Sequence, residues 1–218
     1  MGYARDERLG LCALLDEVGP DALTLCAGWT TRDLAAHLVL REHRPDAGAG
    51  IMGGPLASYT DRVQQRLSAR TPYEDLVKAI RNGPPRLSLW AIPGMDERAN
   101  VVEYFVHHED VRRAAPNSEP RGIGPGLSQV LWSRLQMARF VLRKVPVGIE
   151  FARDDGAAGN GDGSGFRMTI RRRTPVVTVT GTPAELTMWA MGRTSAAHVR
   201  LDGTDSAVRM LSQAHWRL

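Results

Sequence analysis

Cys26-Ala27-Gly28-Trp29-Thr30-Thr31-Arg32-Asp33-Leu34-Ala35-Ala36-His37-Leu38 starts a helix and sets a histidine on its inner face. Thr30 and Asp33 stand in capping-box spacing, so each can satisfy an amide that a first helical turn leaves without a partner. Leu34, His37, Leu38 and Arg41 then share one face, because residues three and four apart are neighbours on a helix. His37 therefore lies on a mostly apolar stripe that faces the core. A histidine in that setting is ordinarily a hydrogen-bonded core residue, so its meaning depends on what the rest of the chain brings to it.

Outward from this helix, the first two-thirds of the chain read as further helices. One covers about 3–18 and stops at Gly19-Pro20; the quoted helix runs from about 30 to 43 and ends before Pro45. A loop rich in Gly and Pro follows over about 44–55, then a helix over about 56–68. Thr71-Pro72-Tyr73-Glu74 is a cap, a proline at the first helical position and an early glutamate, and it opens a helix that closes at Asn82-Gly83-Pro84-Pro85. Two more helices are expected over about 97–114, stopped by Pro116, and about 127–144, stopped by Pro146. Beyond Pro146 the pattern changes to alternation with β-branched residues, which predicts strands over 147–152, 166–171 and 176–180. The Gly-rich run 155–165 reads as a flexible hairpin connection. A helix over 183–191, a short strand over 199–201 and a helix over 205–213 complete the chain. The expected fold class is α+β: an all-helical bundle over 1–145 and a small α+β domain over 146–218.

Bulk properties exclude several classes. At 218 residues, 43% hydrophobic and 24% charged, the composition is that of an ordinary globular protein with a working core. No run of about 18 uncharged apolar residues exists, so no membrane partner is expected. Arg5, Asp6, Glu7 and Arg8 interrupt the N-terminal apolar residues, which argues against a signal peptide and for a cytoplasmic protein. Cys12 and Cys26 form no CxxC pair and read as small buried or half-buried residues. The net charge of +4 comes almost wholly from arginine, and no interleaving of aromatic and basic residues accompanies it, so nucleic acid is not an expected partner. The run Arg171 to Arg173 reads as a solvated strand end.

The second informative stretch is Asn100-Val101-Val102-Glu103-Tyr104-Phe105-Val106-His107-His108-Glu109-Asp110-Val111-Arg112-Arg113. Glu103 and His107 are one turn apart on one face, which suits two ligands of one ion or an ordinary surface pair. Their neighbours Val102, Phe105 and Val106 are apolar, and a carboxylate among them is costly unless a metal or an arginine offsets it. His108 is rotated about 100° away and cannot point at the same ion. Asp110 falls three residues beyond His107 and can hold the imidazole's second nitrogen.

These two stretches resemble the metal-binding domain of the mycothiol-dependent maleylpyruvate isomerases, a branch of the DinB-like four-helix bundles. Cys26 to Leu38 resembles that domain's signature, and Glu103 to His107 resembles its second ligand motif, over roughly residues 5–145. Gly181-Thr182-Pro183-Ala184-Glu185-Leu186 with Met191-Gly192-Arg193 is similar to the small C-terminal domain these proteins carry. The run Val106 to Arg113 resembles an actinobacterial subgroup described only as metal-binding. The resemblance implies a DinB-like bundle, a divalent metal, zinc first, on His37, Glu103 and His107, and mycothiol as the thiol cosubstrate.

Two histidines and one carboxylate leave coordination positions for substrate, as in catalytic zinc sites. The chemistry implied is a zinc-bound thiolate adding to a small electrophile, in an isomerase or an S-transferase. For an acidic electrophile the expected cation is Arg193, with Arg41 as a second candidate. A non-catalytic metal-binding or stress-related interaction protein on the same bundle is the alternative, and a non-haem iron enzyme shares the ligand set.

Overall fold

The computed structural model describes residues 2–44, 56–85, 95–115, 118–155, 166–214 and 216. Most of the Gly/Pro loop expected over 44–55, Pro116, and all but the first residue of the run expected as a hairpin connection over 155–165 lie outside these residues. The chain divides into two compact units, Met1–Pro120 and Arg121–Leu218.

The first unit is helical: α1 (Tyr3–Val18), α2 (Thr31–His43), α3 (Ala57–Arg70), α4 (Tyr73–Asn82) and α5 (Met95–Arg112). The start of α2 follows the sequence signal. Asp33 Oδ2 accepts from both the amide and the hydroxyl of Thr30, each at 3.1 Å. Its other oxygen accepts from the Ser68 hydroxyl at 2.9 Å, which ties the first turn of α2 to the end of α3. α1 packs along α5, α1 and α2 both pack on α4, and α2 packs on α3. Leu11, Leu15, Leu34, Leu38, Leu76, Ile80 and Tyr104 fill the space between them. Inside that core the buried Glu42 carboxylate is met by three donors, Arg8, Asn100 and Tyr104, at 2.8, 3.2 and 2.7 Å. Gly83 ends α4 at a φ of +76°, where a Cβ would also meet the Arg8 guanidinium.

The second unit begins with α6 (Pro125–Arg134), a 3-10 turn (Leu135–Met137), α7 (Ala138–Val141) and a second 3-10 turn (Leu142–Lys144). Four strands follow, β1 (Gly148–Arg153), β2 (Arg167–Arg171), β3 (Val176–Gly181) and β4 (Arg200–Asp202), with α8 (Pro183–Ala190) after β3 and α9 (Asp205–Gln213) after β4. The sheet order is β2-β1-β3-β4; β1 and β3 are parallel and the outer pairs antiparallel. The expected α+β class is observed, and the strands and the last two helices fall within one residue of where the sequence pattern placed them. Two expectations change. The helix over 127–144 is interrupted by 3-10 turns rather than continuous. The boundary lies at Pro120, not at Pro146, because Trp132, Leu135, Ala138 and Leu142 of that segment bury themselves with Ile149, Phe151, Val177 and Val179 of the sheet. Helical periodicity reveals that a segment is amphipathic, not which core its apolar face joins.

Among the described residues no helix is long and apolar enough to cross a membrane.

Candidate metal centre

α2 contributes His37 and α5 contributes Glu103 and His107 to one cluster in the first unit. Glu103 Oε1 stands 3.4 Å from His37 Nε2 and 3.4 Å from His107 Nε2. The donor atoms of the three residues all lie within 4.8 Å of one another. Both histidines are buried, while the Glu103 side chain retains 22% exposure, so the cluster reaches the surface through the carboxylate.

Each imidazole is held by its other nitrogen. His37 Nδ1 pairs with Gln64 Oε1 of α3 at 3.3 Å, and His107 Nδ1 donates to Asp110 Oδ2 at 2.9 Å. Anchoring Nδ1 turns both Nε2 atoms toward Glu103, the arrangement by which carboxylates and amides orient metal-ligating histidines. Trp29, just ahead of α2, sets its ring 5.0 Å from the His37 ring and restricts its tilt.

The donor set fits a divalent ion. For a tetrahedral ion with bonds of about 2.0–2.1 Å, neighbouring donors lie about 3.3–3.4 Å apart, which is the spacing of both His–Glu pairs here. Electrostatics point the same way. Burial works against the Glu103 charge, but hydrogen bonds from His107 and His37 and the Arg41 guanidinium outweigh it and hold the carboxyl well below its usual range. Burial likewise works against a charged His107; Asp110, Cys26 and Glu103 outweigh it and raise that imidazole well above its usual value. The protein thus stabilises positive charge between Glu103 and Asp110.

The remaining sequence candidates lie outside the three-donor set. Arg41 turns its Nε to Glu103 at 3.4 Å and its Nη1 to Asn100 Oδ1, so it is a neighbour of the carboxylate. His108 faces α1, where Nδ1 meets Glu7 Oε2 at 3.0 Å. Arg193 belongs to the second unit, where its Nη1 donates to the Met191 carbonyl at 2.6 Å. Two neighbours of the cluster were not read from the sequence. Gln64 carried no signal, since its approach to His37 depends on how α3 packs on α2. Cys26 read as a small half-buried residue; it is half-buried, but its thiol donates to Asp110 Oδ2 at 3.2 Å.

The fold and cluster together define the class: a two-unit α+β protein whose helical bundle gathers two histidines and a glutamate. Comparison with solved structures finds the crystal structure of a mutant of the mycothiol-dependent maleylpyruvate isomerase, with a TM-score of 0.60 at 16% sequence identity, covering 92% of this chain and 90% of that one. At that identity the likeness establishes the shared fold. No protein-family model matches the chain, and no curated protein matches it.

Proposed function

We propose that this chain binds a divalent metal, zinc first, through His37, Glu103 and His107, and uses it to present a low-molecular-weight thiol, mycothiol, to a small electrophile as an isomerase or S-transferase. The observation that carries the reading is the pair of 3.4 Å His–Glu separations, with both outer imidazole nitrogens anchored. The shared fold with a mycothiol-dependent isomerase supports the thiol.

The residues divide the work. His37 and His107 would offer their Nε2 lone pairs to the ion, any proton there leaving as it binds, with the ring directions set by Gln64 and Asp110. Glu103 offers a charged oxygen from the edge of the cluster, and Arg41 Nε meets that same Oε1 at 3.4 Å and helps hold the carboxylate in place. Bound there, the ion supplies the positive charge that keeps a thiol deprotonated at neutral pH. Two neutral imidazoles and one carboxylate only partly offset a divalent charge, and Arg41 adds to the remainder, so the site favours an anion such as a thiolate. Arg193 is proposed as the cation for an acidic electrophile.

Titration of zinc-loaded protein with mycothiol, and with glutathione in parallel, tests the reading. Saturable mycothiol binding that disappears with the metal supports it. Absence of binding by either thiol removes the thiol chemistry, and binding without turnover of any electrophile leaves the non-catalytic alternative.

A further inference from the structure

His107 belongs to a second cluster through its other nitrogen. Cys26 Sγ lies 3.2 Å from Asp110 Oδ2 and 3.9 Å from His107 Nδ1, and Asp110 Oδ2 lies 2.9 Å from His107 Nδ1. The three donor atoms fall within 4.8 Å of one another. Asp110 is fully buried, while Cys26 is half-buried and gives the cluster access to solvent.

The loop that carries Cys26 is built against α5. The Leu25 amide donates to the Asp110 carbonyl at 3.0 Å, which fixes the loop to the same residue that supplies the carboxylate. The Thr24 hydroxyl accepts the Cys26 amide at 3.2 Å, and the Trp29 amide donates to the Cys26 carbonyl at 2.9 Å. The thiol is thus held beside Asp110 by main-chain bonds on both sides.

We propose that Cys26, Asp110 and His107 Nδ1 form an alternative site for a thiophilic cation, exclusive of the His37–Glu103–His107 set. For bonds of about 2.3 Å to sulfur and about 2.0–2.2 Å to nitrogen or oxygen, tetrahedral donors lie about 3.3–3.6 Å apart. The observed 2.9, 3.2 and 3.9 Å bracket that range, so adjustments of about 0.3–0.4 Å in side-chain positions close the set. As the cation binds, the thiol proton and the His107 Nδ1 proton leave to solvent, and the proton on Nε2 stays facing Glu103 Oε1 at 3.4 Å. One imidazole serves one set at a time, because its single lone pair faces either Glu103 or Asp110. The set with sulfur selects soft ions and the set without it selects borderline ions. The chain therefore discriminates by metal type: zinc is held among His37, Glu103 and His107, and cadmium on the Cys26 side. This site stands on its own geometry and does not require the first set to be occupied.

Cadmium titration of the full chain, followed by the ultraviolet thiolate-to-cadmium charge-transfer absorption, tests the proposal. The wild-type protein should develop the band at one cadmium per chain. Cys26→Ser should abolish it and weaken cadmium binding by about tenfold or more, while zinc binding stays in place. His37→Ala should keep the band, since His37 is absent from the second set. No band in the folded wild-type protein overturns the proposal, as does a band that persists in Cys26→Ser. Loss of the band in His37→Ala also overturns it, because the sulfur would then be joining the first set rather than its own.

Discussion

Asp110→Asn isolates the contribution of one carboxylate to the zinc proposed on His37, Glu103 and His107, a ligand set to which Asp110 does not belong. Asp110 is fully buried at the end of α5 and receives the His107 Nδ1–H at 2.9 Å. Asparagine keeps the volume, and its amide oxygen can still accept that proton, so the imidazole should keep its tautomer and direction. What is lost is the negative charge, and charge-assisted hydrogen bonds are about twice as strong as neutral ones. Loss of such orienting partners costs about 10–100-fold in metal affinity, or about 1.4–2.7 kcal/mol. With geometry preserved, the lower end applies: zinc affinity should fall about tenfold in Asp110→Asn and further in Asp110→Ala, where orientation goes too. Competition against a chromogenic zinc chelator measures this directly, with circular dichroism confirming the fold. Wild-type affinity in Asp110→Asn would refute the claim that this carboxylate acts through His107. A loss as complete as that of His107→Ala would make Asp110 a ligand of the zinc itself.

Other consequences follow from single groups. Burial pushes the Cys12 thiol up from 9.0 to about 11; the folded state therefore holds the proton longer than the unfolded chain. The associated stability is fully present below pH 9 and is lost as pH rises toward about 11, an effect of about 2–3 kcal/mol that denaturant titrations should find much reduced in Cys12→Ala. Tyr104→Phe removes a 2.7 Å hydrogen bond to the buried Glu42 and should cost about 1.5–3 kcal/mol of stability, read from chemical denaturation, without altering metal content. Arg193→Ala should leave metal content intact and slow turnover of an acidic electrophile about 10–100-fold, about 1.4–2.7 kcal/mol; unchanged kinetics would exclude Arg193.

Where local chemistry decides, the sequence was readable. The capping box at Thr30 and Asp33 and the glycine after Asn82 set helix ends, and helical phase alone separated His107 from His108, which the structure turns toward Glu103 and toward Glu7 respectively. The strands were readable because their inner faces alternate, as in the buried Val177 and Val179 of β3. Where tertiary packing decides, the sequence was silent. Nothing in the periodicity of residues 127–144 tells that Trp132 and Leu142 join the sheet core, which is why the boundary moved. Gln64 reaches His37 only because α3 packs on α2. Cys26 lies in the loop before α2 and His107 on α5; the amide of Leu25 on the Asp110 carbonyl brings them together, and a main-chain bond of that kind leaves no mark in side-chain pattern. Arg41 was readable as a cation near His37, but its direction toward Glu103 and Asn100 was not.

The most direct test of the central claim is the metal content of three proteins purified in parallel and assayed by elemental analysis: wild type, His107→Ala and His108→Ala. The wild-type chain should hold about one divalent ion, His107→Ala should lose most of it, and His108→Ala should retain it, because only His107 shares the cluster with His37 and Glu103. Full occupancy in His107→Ala, or greater loss in His108→Ala, would contradict the account.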